Sequence, residues 1–81
     1  MNFPETTIQL VWEKGAALPN NDPAIWRQDV FGSPIGRSYY GNRNSKYGWE
    51  IDHIIPVSQG GSDHLSNLRP VQWENNLARQ N

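Results

Sequence analysis

The sequence predicts an α+β fold: a small single domain whose C-terminal half runs strand, loop, strand and closing helix, preceded by N-terminal helices and a β-hairpin. Three observations predict it. Eighty-one residues with 36% apolar content suffice for one thin core. Residues 47–56 form an apolar, β-prone run, and after a loop marked by Gly60, Gly61, Ser62 and Asp63 a second short strand returns over residues 67–71. Residues 73–80 then have the pattern of a helix. The expected organisation is a single unit over 1–81, with 1–5 a lightly packed tail, 6–46 a helical and hairpin support, and 47–81 the core that carries the chemistry.

Taken in order, Thr6 or Thr7 caps a first helix with Ile8, Val11 and Trp12 on one face and Gly15 as its stop. A strand is the alternative, since residues 6–12 are rich in β-branched side chains. Trp12 is core either way. Asp22-Pro23 reads as an N-cap with proline at the first helical position, opening a short helix through Arg27 with Ile25 and Trp26 inward. Residues 29–40 read as a hairpin, Val30-Phe31 on one arm, Gly32-Ser33-Pro34 at the turn and residues 35–39 on the other, with Arg37 near that arm's middle. Arg27 and Asp29 flank the junction as a candidate ion pair. Residues 41–46 form a polar loop, and Trp49 and Trp73 are candidate core.

Composition narrows the field. There is no cysteine, so neither disulfides nor a thiolate zinc site can staple the chain. Four Trp, three Tyr and two Phe must supply the packing instead. No apolar run reaches the ~20 residues that span a bilayer, and no signal-peptide core opens the chain, so a cytoplasmic protein is expected. The formal charge of −1 is unlike that of most nucleic-acid binders. Charge is segregated, however. Between Pro34 and Trp49 the charged residues are Arg37, Arg43 and Lys46, interleaved with Tyr39, Tyr40 and Tyr47, which makes a local cationic, aromatic face.

The chemistry concentrates at Asp52-His53, a carboxylate beside an imidazole within the 47–56 run. Together with Pro56, Gly60-Gly61-Ser62, Asn67-Leu68, Asn76 and Arg79, these residues resemble the HNH endonucleases, whose core is the ββα-metal finger. The three lettered positions read His53, Asn67 and Asn76, an H-N-N variant. The resemblance covers roughly the C-terminal half, and Val11 to Lys14, Trp26 to Asp29 and Tyr40-Gly41 also look like small stand-alone members. Many relatives add zinc held by cysteines, which this chain lacks.

The resemblance implies hydrolysis of DNA phosphodiester bonds. His53 would be the general base that takes a proton from water, as an imidazole titrating near neutrality can. Asp52 and Asn76 would hold the metal. A carboxylate and an amide carbonyl suit Mg²⁺, or Mn²⁺ or another hard divalent cation, better than zinc. Asn67 would brace the loop and orient His53 through the backbone, and Arg79, with Arg37, Arg43 and Lys46, would contact DNA. The products implied are a 5′ phosphate and a 3′ hydroxyl. His64 reads as a surface residue or cap, Asn75 as helix surface, and Gln80 as at most a water-mediated neighbour of the metal. The expected partner is DNA, with no membrane, and the acting form is a monomer or homodimer in a bacterial or phage-encoded context. The competing readings are an inactive nucleic-acid-binding module or accessory subunit, and a zinc-stabilised structural finger, for which Asp and Asn are poor ligands.

Overall fold

A computed structural model describes residues 2–79. The chain builds two small antiparallel sheets flanked by two helices, in the order α1 (Glu5–Trp12), β1 (Ala16–Ala17), β2 (Trp26–Gln28), β3 (Pro34–Gly36), β4 (Trp49–His53), β5 (Leu68–Gln72) and α2 (Trp73–Arg79). The first three strands form one sheet in sequence order, and β4 pairs with β5 in the other. The α+β class and the strand–loop–strand–helix core are as the sequence predicts.

Helix α1 forms because Ile8, Val11 and Trp12 recur at three- and four-residue spacing and all three are buried. It starts earlier than expected: Pro4 precedes the first turn, its carbonyl accepts from the Ile8 N–H at 3.0 Å, and no side chain caps the helix. Thr6 and Thr7 therefore lie inside it, and Phe3 packs against the core, so residues 3–5 are not a tail. The helix stops where the Gly15 N–H turns back to the Trp12 carbonyl.

The expected helix after Asp22-Pro23 does not form. Asp22 accepts from the Ala24 N–H through its side chain and from Ile25 and Trp26 through its carbonyl, which closes a single turn. The next three residues are then recruited as β2, the central strand, paired on both edges by β1 and β3. Two ladders outweigh a local helical preference that no apolar stripe supports. Ile25 is consequently exposed and Trp26 only half-buried.

The hairpin exists, with arms β2 and β3 and residues 29–33 as its turn. Val30 and Phe31, assigned to an arm, lie in that turn and are exposed, and Arg37 opens a 3-10 turn (Arg37–Tyr39) beyond β3. Arg27 and Asp29 do not pair. Arg27 donates to the carbonyls of Glu13, Gly15 and Pro23, tying β2 to the end of α1.

Asp29 instead joins the two halves of the molecule. It is buried at 4% exposure and accepts four hydrogen bonds: Oδ1 from the N–H groups of Phe31 and Ser33, Oδ2 from the Gln72 N–H at 2.9 Å and Asn75 Nδ2 at 3.0 Å. Asn75 also donates to Ser33 Oγ at 2.8 Å, so it is a cross-link and not helix surface. The hairpin turn is thereby bolted to the corner where β5 becomes α2.

The main core is Val11, Trp12, Ile35, Trp49 and Leu68, with Ile8 at its edge. Trp12 and Trp49 pack at a tilt with centroids 5.3 Å apart, and Tyr40 meets Trp49 edge-on at 4.9 Å. A second cluster joins Trp26, Tyr39 and Tyr47. Aromatics thus supply much of the packing that cysteine cannot. Trp73 is half-buried and not core: its indole donates to the Ser45 carbonyl and Arg43 lies over its ring, so it closes the 41–46 loop onto α2.

Candidate active site

The site grows from the alternation of β4. Trp49 and Ile51 pack toward the core, while Glu50 and Asp52 meet α2. On α2, Asn76 and Arg79 are one turn apart and share a face. Asn76 lies on Glu50 and Arg79 on Asp52, so two neighbouring positions of the strand face two neighbouring positions of the helix.

The strand is anchored at both ends by glycine contacts. A Cβ on Gly48 would sit 1.8 Å from the Asn42 carbonyl oxygen, and one on Gly61 would sit 1.7 Å from that of Ile55. Both positions need the backbone itself to touch its neighbour. Gly60, with φ of 87°, turns the chain back toward the site.

Asn67 carries the loop. Buried at 9% exposure, its Oδ1 accepts from the Ile55 N–H at 2.8 Å, and its Nδ2 donates to the carbonyls of Ile55 at 3.1 Å and Ser62 at 2.8 Å. One amide therefore clasps both ends of the 54–63 loop two residues beyond His53.

His53 ends β4 opposite Leu68, with Phe3 beside its ring. Its Nε2 lies 2.7 Å from Asp63 Oδ1. A carboxylate only accepts, so the ring proton belongs on Nε2 and the lone pair on Nδ1. Asp63, which the sequence marked only as part of the loop, is thus an orienting partner; its ten-residue separation from His53 gives no periodic signal.

Asp52 is buried at 7% exposure and paired across the sheet with Arg69. Its Oδ2 accepts from Arg69 Nε at 2.8 Å and from Arg79 at 3.2–3.3 Å. Among the described residues both arginines bind Oδ2, leaving Oδ1 without a hydrogen bond. Arg69 was not among the expected site residues, although its cross-strand register with Asp52 follows directly from pairing the two predicted strands.

Glu50 is held by Arg43 through two parallel bonds of 2.7 and 2.9 Å and accepts from Asn76 Nδ2 at 3.0 Å. The Arg43 guanidinium, against the opposing effect of burial and aided by Asn76, holds the Glu50 carboxyl below the ordinary glutamate range. The folded pKa is thus depressed, so the stability it contributes is present above the unfolded value and is lost as pH falls through the folded one. Carboxyl ¹³C titration is expected to show Glu50 protonating below the usual 4.5, and Arg43→Ala to move that midpoint up. Burial, with the charges of Glu50 and Glu5, pushes the neighbouring Tyr40 hydroxyl up.

Asp52 and Asn76, the pair expected to hold a metal, face the same strand–helix seam, each with a partner between them and the bulk protein. Asn76 is 3% exposed, and its Oδ1 is buried with no hydrogen-bond donor. Asn76 lines a pocket with Tyr40, Glu50 and Ile51, and Asp52 lines the neighbouring one that also holds Ile51; an orphaned amide oxygen and a carboxylate oxygen without a hydrogen bond are donors of the kind a hard, oxygen-seeking cation takes. Among the described residues no group of three or more His, Cys, Asp or Glu side chains is arranged to hold a metal.

A cleft beside the end of β4 is lined by Asp52, His53, Pro56, Val57, Gln59 and Arg79. It brings the imidazole, the carboxylate and a guanidinium to one opening. Of the other expected DNA contacts, Arg37 binds Glu5 and Gln9 on α1, Arg43 binds Glu50, and Lys46 is exposed above the Tyr47 ring. His64 is exposed, and Gln80 lies outside the described residues. No described helix is long and apolar enough to cross a membrane.

The HNH endonuclease family model matches residues 39–78, which contain β4, the loop, β5 and nearly all of α2. No curated protein and no solved structure gives a significant match.

Proposed function

Because the chain carries an HNH endonuclease domain over residues 39–78, we propose that it is a divalent-metal-dependent endonuclease that hydrolyses DNA phosphodiester bonds at the cleft beside His53. The observation that supports this most is the joint opening of His53, Asp52 and Arg79 into one cleft, with the imidazole proton assigned away from Nδ1 by Asp63.

His53 acts as the general base. Water attacks phosphorus, its proton passes to Nδ1, the bond from phosphorus to the 3′ oxygen breaks, and that oxygen takes a proton from solvent to leave a 3′ hydroxyl and a 5′ phosphate. Asp63 receives the Nε2–H and steadies the imidazolium that forms. Asp52 and Asn76 are the cation's protein ligands, with Mg²⁺ the leading candidate and Mn²⁺ an alternative. When bound, the cation supplies charge neutralisation on the phosphate and the leaving oxygen. Arg79 sits 3.2 Å from Asp52, where a guanidinium can leave a carboxylate for an incoming phosphate. Asn67 keeps the loop closed so that His53 stays in register. Exposed Lys46 supplies further positive charge for the duplex, as do Arg43 and Arg37 where they leave Glu50 and Glu5 for phosphate.

Supercoiled plasmid incubated with the purified chain is expected to relax in Mg²⁺ or Mn²⁺ and to stay supercoiled in EDTA, with activity restored by adding the metal back. Relaxation that persists undiminished in EDTA would overturn metal dependence, and none under any divalent ion would favour the non-catalytic DNA-binding reading.

A further inference from the structure

Resting on the reading that Asp52 and Asn76 hold the cation, we infer that Glu50 is a positioning residue for that site: it takes the Asn76 amide N–H and so commits the Asn76 carbonyl oxygen to the metal. An asparagine side chain can turn over by 180°, exchanging a donor for an acceptor at nearly the same place. A cation ligand must present oxygen, and an amide presenting its NH₂ would repel the ion. Something has to fix the orientation.

Glu50 does so by chemistry that has one solution. Its carboxylate only accepts, and it lies 3.0 Å from Nδ2, so the amide's donor end is claimed. The opposite branch, Oδ1, is left buried and without a donor. Among the described residues only one other buried side-chain polar atom lacks a partner, Trp49 Nε1, and that lies inside the aromatic cluster of Trp12 and Tyr40. The orphaned oxygen belongs to a residue that lines a second pocket with Tyr40, Glu50 and Ile51, and Ile51 also lines the cleft of Asp52 and His53.

Glu50 is itself immobilised. Arg43 grips both carboxylate oxygens, in the parallel geometry that a guanidinium and a carboxylate prefer. Backbone alternation sets Glu50 two residues from Asp52 on the same strand, so one rigid β4 dictates the position of the carboxylate ligand directly and of the amide ligand through Glu50. Arg43 is then a clamp on the strand, whichever nucleic-acid contact it also makes.

The experiment compares Mn²⁺ binding by calorimetry to the metal-free full chain in four forms: wild type, Asp52→Ala, Glu50→Met and Glu50→Gln. Methionine keeps the volume and removes the acceptor, whereas glutamine keeps an oxygen able to receive the Asn76 N–H. Glu50→Met is expected to weaken Mn²⁺ about 10-fold or more, in the range found when a group orienting a metal ligand is lost, and Glu50→Gln to stay within about threefold of wild type. In metal-free protein the Asn76 side-chain NH₂ resonances are expected to move in Glu50→Met and to stay near their wild-type positions in Glu50→Gln.

The outcomes separate cleanly. If wild type binds Mn²⁺, Asp52→Ala does not, and Glu50→Met binds as wild type does, the ligand pair stands and the role of Glu50 is overturned. If glutamine is as damaging as methionine, Glu50 acts through its charge or as a ligand, and the positioning role is again overturned. If wild type binds nothing, the metal reading falls and takes this one with it. Should Glu50→Met fail to fold by circular dichroism, Glu50→Ala takes its place as the variant without an acceptor.

Discussion

His53→Ala is expected to reduce plasmid nicking by about 10²–10⁴-fold while leaving the fold intact. That range corresponds to roughly 3–5 kcal/mol on the barrier, the contribution of a positioned base to proton removal from water. Structure should survive because His53 leaves little behind: its side-chain partner Asp63 is 53% exposed and regains water, so no buried group is orphaned. Single-turnover cleavage of a supercoiled plasmid in saturating Mg²⁺, with thermal melting beside it, measures both quantities. Equal rates in wild type and variant would show that nicking, if present, does not use this imidazole. Asp63→Ala provides the graded comparison. It removes only the group that holds the ring, so a loss of about tenfold is expected, well short of the loss on removing the base itself.

Asp29→Ala should be the most damaging stability change outside the aromatic core, by about 3–4 kcal/mol. Four donors converge on this carboxylate, and the bond to the Gln72 N–H is fully buried. Hydrogen bonds to charged groups contribute about 1.5–3 kcal/mol each and do not add fully, which sets the range. In a domain this small the expected fall in Tm is roughly 15–30 °C. Asp29→Asn is the sharper test, because it conserves shape and volume. Whichever way it turns, its amide nitrogen faces two of the four donors, so the isosteric variant is expected to lose most of the same stability. Urea unfolding of the three proteins decides it, and a midpoint for Asp29→Asn equal to wild type would show that shape and not the acceptor matters here.

These two residues mark the limits of what could be read from residue order. The placement of His53 on a strand before the loop was legible because its signal is local: an imidazole beside a carboxylate in a β-prone run, followed at loop distance by Gly60-Gly61 and Asn67. Asn67 was legible for the same reason, and the structure shows the brace as three hydrogen bonds across the 54–63 loop. Asp29 was not. Its partners Gln72 and Asn75 are 43 and 46 positions away, and nothing in the hairpin or the helix alone distinguishes them from surface residues. Arg69 and Asp63 fall between: each lies within reach of a predicted strand or loop, and only the register says which atom each one meets.

The errors have the same origin. Asp22-Pro23 is a sound helix opening, yet the residues after it pair on both edges as β2, and two ladders outweigh one local preference. Val30 and Phe31 have strand propensity but sit in the turn, because Asp29 folds that turn around its own carboxylate. Trp73 looked like core and is instead half-buried, its indole spent on the Ser45 carbonyl.

Periodicity and short motifs by themselves determined the α+β class, the buried face of α1, the β4–loop–β5–α2 order and the family of the C-terminal half, since each rests on interactions within a few residues along the chain. Tertiary structure alone decided which polar groups meet: Asp29 with Gln72 and Asn75, Asp52 with Arg69 and Arg79, Glu50 with Arg43 and Asn76. The physical reason is that apolar burial is non-directional and can be read from spacing, whereas a hydrogen bond needs two particular atoms about 3 Å apart, a condition that only the folded register can meet.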